Sequence, residues 1–213
     1  MSEKEVLEIL GVKVLLGDST TVFFNVAKLH TQNKIDVPVI IERSKIPGPT
    51  VLVTAGIHGD EINGVEIVRQ LIAKGINKPK KGTIICIPVI NVFGFIQMDR
   101  EFPDGRDLNR VFPGSRNGAL ASRVAHKLTQ EVIPHADLIL DFHTGGADRF
   151  NSAQIRITKG DKSLEELAEV FGAPFIYNSK NLNKSFRNTA FKLGIPMLLF
   201  EGGKSFNIDS KIT

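Results

Sequence analysis

The sequence predicts an α/β fold built on a mixed, largely parallel β-sheet that is flanked by helices. Short apolar segments alternate with longer segments in which apolar residues recur at helical spacing. Several apolar segments are continuous, as expected for strands that are buried on both faces of a sheet. Strands that alternate with helices are typical of a sheet with helices packed on both sides.

Seven segments are predicted as strands and four as helices. The strands are Val37–Ile41, Val51–Ala55, Thr83–Ile87, Leu138–Phe142, Ile155–Thr158, Pro174–Tyr177 and Met197–Phe200. The helices are Glu61–Lys74, Ala119–Ile133, Ser163–Phe171 and Ser185–Leu193. Ser163 and Glu166 have the spacing of a capping box, and Gly75 is placed to end the first helix. We expect residues 1–45 to add strands at one edge of the sheet.

The segment 91–118 has no helical or strand pattern and is rich in glycine, proline and polar residues. An irregular segment of this length inside a compact domain is usually functional or disordered. It carries Arg100, Arg106, Asp107, Asn109 and Arg110, which favours a binding loop.

The composition is that of an ordinary globular protein, with 42% hydrophobic and 23% charged residues among 213. We therefore expect residues 1–213 to form a single domain. No apolar run approaches the ~20 residues that span a bilayer, and residues 1–5 do not resemble a signal peptide. The single cysteine, Cys86, cannot form an internal disulfide, so a cytoplasmic location is expected.

The net charge of +4 fits a small anionic substrate without demonstrating one. The densest basic run, residues 78–81, is interpreted as a solvated turn, because no aromatic residues interleave it as a nucleic-acid platform would need. We expect neither nucleic acid nor membrane as a partner. A homo-oligomer is compatible with the sequence.

His58 and Glu61 follow the apolar strand Val51–Ala55, where a helix is predicted to begin. Their spacing predicts that imidazole and carboxylate lie side by side on one helical turn. A third ligand, His143, ends another apolar strand, and two histidines with one glutamate form the ligand set of a hydrolytic zinc site. The alternative is that Glu61 favours the helix dipole and His58 is a loop residue. The same ligands could take iron, cobalt or nickel.

Glu201 ends a third apolar strand and is followed by Gly202 and Gly203, which leave room for a ligand. In open α/β sheets, ligands bind beyond the carboxyl ends of strands, so His58, His143 and Glu201 are predicted to converge. A carboxylate beside a zinc-bound water can act as general base and acid. The alternative is a capping or surface carboxylate.

The segment Asp107–Arg110 offers several polar groups to the same site. Arg110 can bind a substrate carboxylate, Asn109 adds an amide donor, and Asp107 can accept the second N–H of a zinc-bound histidine. Arg100 can face a developing oxyanion, and Arg106 is an equally placed alternative. The alternative for Asp107–Arg110 is a polar turn.

Asp141 precedes His143 by two residues and is either a partner of that histidine or a buried carboxylate with satisfied hydrogen bonds. His30, His126 and His135 are assigned no chemistry.

Four motifs together resemble the succinylglutamate desuccinylase/aspartoacylase family, a branch of the zinc carboxypeptidase-like hydrolases. They are Gly56–Glu61, Asp107–Arg110, Asp141–His143 and Gly194–Pro196 with Glu201, in the family's order and within residues 50–203. The ordered set is more specific than any one motif.

The resemblance implies a zinc carboxypeptidase-like fold and hydrolysis of the amide bond of N-acyl amino acids; some descriptions place the family among ester-bond hydrolases. It implies one zinc ion held by His58, Glu61 and His143, with Glu201 as base and acid. It also implies substrate binding by Asn109 and Arg110, an outer contact from Asp107 to His58, and Arg100 as the oxyanion arginine.

Family members usually continue into a small β-rich C-terminal domain, which is expected to be absent from this chain, as is a tyrosine that this region often supplies. The predicted function is therefore a zinc-dependent deacylase of small N-acylated carboxylates. The alternatives are a metallocarboxypeptidase that acts on peptides and a domain that binds metal or carboxylate without turnover.

Overall fold

The computed structural model describes residues 6–147 and 149–213, and it confirms the predicted fold class. The strands are β1 (Val6–Ile9), β2 (Val12–Leu15), β3 (Ser19–Lys28), β4 (Lys34–Arg43), β5 (Thr50–Ala55), β6 (Thr83–Ile87), β7 (Leu138–Gly145), β8 (Asn151–Thr158), β9 (Phe175–Ser179) and β10 (Met197–Lys204). The helices are α1 (Ile62–Ala73), α2 (Val92–Gln97), α3 (Leu120–Glu131), α4 (Lys162–Phe171) and α5 (Phe186–Lys192).

Eight strands form one mixed sheet in the order β3-β4-β6-β5-β7-β10-β8-β9, and β1 and β2 form a separate hairpin. The four central strands β6, β5, β7 and β10 are parallel. β3 and β4 form one antiparallel edge, as expected, whereas β1 and β2, which also lie within residues 1–45, do not join this sheet. At the other edge β8 is antiparallel to β10 and parallel to β9.

Each face of the sheet is covered by its own hydrophobic cluster. On one face Val53 of β5 packs in a cluster with Val68 of α1 and Ala168 of α4. On the other face Leu52 of β5 belongs to the cluster that contains Val124 of α3 and residues of α5. Adjacent residues of one strand therefore enter opposite clusters, which explains why the central strands are continuously apolar.

Outside the loop that follows β5, two local predictions are wrong. The side chain of Asp161, and not Ser163, caps α4, because its carboxylate accepts the backbone N–H groups of Ser163 and Leu164. The segment 91–118 is not wholly irregular: it contains α2, where the Asn91 side chain accepts the Gly94 N–H, and a 3-10 turn at Leu108–Arg110.

The parallel arrangement places the carboxyl ends of β5, β7 and β10 side by side at one edge of the sheet. In the register, Glu201 of β10 lies opposite His143 of β7, and β5 ends at Ala55 beside Phe142. The loop that carries His58 follows β5 directly. Within the described ranges, none of the helices has the length and apolar character needed to span a bilayer.

Candidate metal centre and active-site pocket

His58 and Glu61 lie in the loop between β5 and α1. Gly56 leaves the strand with φ +60°, and the helix begins only at Ile62, so the prediction that both residues share one helical turn is wrong. They still approach each other, because the Glu61 N–H donates to the His58 carbonyl at 3.3 Å. The loop also lies close to α2: a Cβ on Gly59 would come within 1.9 Å of the Gly94 carbonyl carbon.

The Glu61 carboxylate contacts both histidines. Its Oε1 lies 2.7 Å from Nδ1 of His58, and its Oε2 lies 2.9 Å from Nδ1 of His143. The Thr144 N–H also donates to Oε2, at 3.0 Å. All three side chains are buried, and one ligand atom from each lies within 4.8 Å of the others. The structure therefore brings together the three predicted metal ligands.

The second ring nitrogen of each histidine contacts another carboxylate. His58 Nε2 lies 3.2 Å from Asp107 Oδ1, and His143 Nε2 lies 2.7 Å from Asp141 Oδ2. The Thr54 hydroxyl donates to Asp141 Oδ1 at 2.7 Å. Outer carboxylates that orient metal-bound histidines in this way are common in metal sites. Asp141 is thus both a partner of His143 and a buried carboxylate with a further hydrogen bond.

The charges of this cluster fit a cation. Burial opposes protonation of His143, but Asp141 and Glu61 outweigh it and raise its pKa well above the ordinary value. Burial likewise opposes ionisation of Glu61, yet His58 and His143 hold its pKa well below the ordinary value. Two imidazole nitrogens and a carboxylate are suitable zinc ligands, and a divalent ion would supply the positive charge that Glu61 and Asp141 favour.

Glu201 lines the same pocket as His58, Glu61 and His143, and its side chain is 14% exposed. Burial raises its pKa above the usual value, partly opposed by the positive charges of His143 and Arg156. Arg156 Nη2 lies 2.9 Å from Glu201 Oε2. A pKa raised in this direction lies closer to neutral pH, which suits a general base.

Arg100, and not Arg106, lines the pocket. Its guanidinium donates to Glu61 Oε1 at 3.1 Å and to Asp107 Oδ2 at 2.8 and 3.0 Å. Arg106 instead contacts Asp104 and is exposed. Of the two arginines that were equally placed in the sequence, Arg100 is thus the one beside the predicted ligands.

Asn109 and Arg110 belong to the 3-10 turn Leu108–Arg110. The Asn109 side-chain oxygen accepts the Phe186 N–H at 2.8 Å, which leaves the amide nitrogen for a ligand. Asn109 is buried, whereas Arg110 is exposed and both line the pocket. Arg110 Nη1 donates to the Asn109 carbonyl at 2.8 Å, which orients the guanidinium.

The pocket has a volume of about 400 Å³ and contains polar residues that the motif analysis did not select. They are Arg149, Asn151, Arg156 and Arg187. Arg187 is buried, and its Nη1 has no hydrogen-bond partner among the described residues. The sequence gives one indication of Arg187, a cation within the apolar pattern of α5. It gives none for Arg156, which alternates with the buried Ile155 and Ile157 as an outward strand residue should.

The chain is similar, in sequence or in structure, to proteins whose names describe the removal of acyl groups. The chain is 32% identical over 146 residues to the N-alpha-acetyl-L-2,4-diaminobutyric acid deacetylase of Halomonas elongata, an alignment that covers 65% of the chain and 42% of the relative. It superimposes on a succinylglutamate desuccinylase/aspartoacylase structure from Rhodobacter sphaeroides with a TM-score of 0.81 and 26% identity, covering 91% of the chain and 61% of that structure. The chain thus spans less than two thirds of either relative.

A second similar structure, less than 25% identical in sequence, supports the fold alone. The product-bound ectoine utilization protein EutE (DoeB) of Ruegeria pomeroyi has a TM-score of 0.81 at 21% identity, with 99% of the chain and 67% of that protein covered. The family model described as the succinylglutamate desuccinylase/aspartoacylase catalytic domain matches residues 47–212, which include every predicted site residue. The chain therefore belongs to the succinylglutamate desuccinylase/aspartoacylase family.

Proposed function

We propose that the chain is the catalytic domain of a zinc-dependent hydrolase that cleaves the amide bond of a small N-acyl amino acid or related carboxylate. The observation that carries this proposal is the position of Glu201 in the same pocket as the cluster of His58, Glu61 and His143. A metal-ligand cluster beside a separate, half-buried carboxylate is an arrangement suited to metal-assisted hydrolysis.

His58, Glu61 and His143 would hold the ion. When bound there, zinc supplies a water whose pKa is lowered to ~7 and polarises a carbonyl. Glu201 takes the proton of the attacking water as the bond to the carbonyl carbon forms. It returns that proton to the nitrogen as the carbon–nitrogen bond breaks, so that a carboxylic acid and an amine leave.

Arginines at two sides of the pocket have separate roles in this proposal. Arg100, which contacts Glu61, donates to the carbonyl oxygen as negative charge develops on it. Arg110, with the Asn109 amide, binds the substrate carboxylate. The name of the Halomonas relative, a deacetylase of an N-acetylated amino acid, supports an amide of this type as the substrate class.

The test is amine release by the zinc-loaded protein from a panel of N-acetyl and N-succinyl amino acids and short peptides. We expect release from acyl amino acids, and a loss of ~10²-fold or more in Glu201→Gln with its metal content unchanged. Cleavage of peptides alone would identify a carboxypeptidase. Zinc binding without any amine release would contradict a hydrolase and identify a binding domain.

A further inference from the structure

The Glu201 carboxylate is held from the neighbouring strand β8 through one of its two oxygens. Arg156 Nη2 lies 2.9 Å from Oε2, and the Asn151 side-chain amide donates to the same oxygen. Among the described residues, nothing donates a hydrogen bond to Oε1. Oε2 is thus held by contacts within the protein, and Oε1 remains for proton exchange.

The strand register explains how Arg156 reaches Glu201. β8 and β10 are antiparallel, and Arg156 lies opposite Leu199. Residues 199 and 201 point to the same face of the sheet, so Glu201 is the diagonal neighbour of Arg156. A long side chain spans that diagonal.

An irregularity in the same ladder brings in Asn151. Glu201 lies opposite Gln154, so an unbroken antiparallel ladder would place Ser152 opposite Gly203, whereas Asn151 is found there. The shift by one residue moves Asn151 to the face that carries Glu201. Bulges next to active sites commonly redirect a side chain in this manner.

Arg156 is also held from its other side. Its guanidinium carbon lies 5.6 Å from the ring centroid of Tyr177, which is its register partner on β9. The interaction of a cation with the face of a tyrosine ring is favourable, and this stacking restricts the orientation of the guanidinium. Tyr177, Arg156 and Glu201 therefore form a chain of contacts across three neighbouring strands.

We propose that Arg156, assisted by Asn151, is a positioning residue for Glu201: it fixes Oε2 and leaves Oε1 as the oxygen that takes and returns the proton. This inference rests on the proposed function. Without Arg156 the carboxylate can rotate away from the reacting atoms, and a misplacement of ~1 Å can lower a rate by ~10²-fold.

The first experiment compares Arg156→Gln and Arg156→Lys in the zinc-loaded protein. We expect Arg156→Gln to lower kcat by ~10-fold to ~100-fold with little change in KM, and Arg156→Lys to recover part of the loss, since it restores the charge. Arg69→Gln removes an exposed arginine–glutamate pair on α1 and should leave kcat unchanged. An Arg156→Gln variant with normal kcat, or with a raised KM alone, would overturn the proposal.

Tyr177 provides a second test of the same chain of contacts. Tyr177→Phe keeps the ring and should preserve kcat, whereas Tyr177→Ala removes the stack and should lower kcat in the direction of Arg156→Gln. Equal activity of Tyr177→Ala and the wild type would show that the stack has no part in positioning.

A double-mutant cycle, measured by thermal unfolding, distinguishes failure of this inference from failure of the proposed function. If the wild type has no turnover, the proposed function fails, and the contact is judged from the melting temperatures of Arg156→Gln, Glu201→Gln and the double variant. We expect the double variant to differ from the sum of the single variants, since contacting residues couple. Additive shifts would contradict the contact itself.

Discussion

Asp141 Oδ2 lies 2.7 Å from Nε2 of His143, two residues further along the same strand. Residues two apart in a strand face the same side, so the strand itself brings the carboxylate to the ring. With Nε2 held in this way, Nδ1 of His143 faces Glu61. The strand therefore orients His143, a predicted metal ligand, through a contact between residues two apart in the sequence.

We predict that Asp141→Asn weakens zinc binding by ~10-fold to ~100-fold, because the histidine loses its negatively charged partner. Competition with a chromogenic chelator measures the affinity. Asp36→Asn, at an exposed position on β4, is the matched control and should bind zinc as the wild type does. Equal affinities for Asp141→Asn and the control would contradict the orienting role of Asp141.

The metal-free protein should become less stable as the pH rises. The pKa of His143 is raised from 6.5, so its charged form stabilises the fold below pH 6.5, and that contribution is lost as the pH rises through the folded-state value. Glu61 has a lowered pKa, so its contribution is present above 4.5 and is lost in acid.

Melting temperatures in a chelator measure this dependence. We expect the melting temperature to decrease as the pH rises above about 6.5, and to decrease less in His143→Ala. Added zinc should offset the loss, because it binds deprotonated ligands. A melting temperature that rises over this range, or an identical slope in His143→Ala, would rule out the cluster as the cause.

Arg110→Ala is predicted to raise KM by ~10-fold with little change in kcat, since a charge-assisted contact to a substrate carboxylate is present both before and during the reaction. Initial rates with an N-acyl amino acid measure both constants. Arg106→Ala, which removes an arginine outside the pocket, is the control. A fall in kcat at unchanged KM would instead place Arg110 at the reacting atoms.

Gly59→Ala is predicted to disrupt both the fold and the metal site. A Cβ at this position would lie 1.9 Å from the Gly94 carbonyl carbon and 2.2 Å from the Phe95 nitrogen, and neither backbone can move without displacing α2. Gly105→Ala, where a Cβ meets no atom within 4 Å but φ is +72°, should cost only about 1–2 kcal/mol. Similar melting temperatures for the two variants would show that the loop relaxes.

The residues that follow strands could be predicted because the signal is local. An apolar run that ends in His143 or Glu201 indicates a strand. It also indicates that this polar side chain lies near the carboxyl end of the strand, at the edge of the sheet where ligands bind. The contact from Arg156 to Glu201 could not be predicted, since it depends on β8 lying beside β10, and strand order is set by contacts distant in sequence. α2 was missed because its short segment Val92–Gln97 contains a glycine and depends on a cap from Asn91.

The measurement that tests the account most directly is the metal content of the purified protein, beside His58→Ala and the exposed-histidine control His30→Ala. The account predicts roughly one zinc ion per chain in the wild type and the control, and loss of the ion in His58→Ala. Absence of metal after zinc is added, or retention of zinc by His58→Ala, would contradict the assignment of His58, Glu61 and His143 as a metal site.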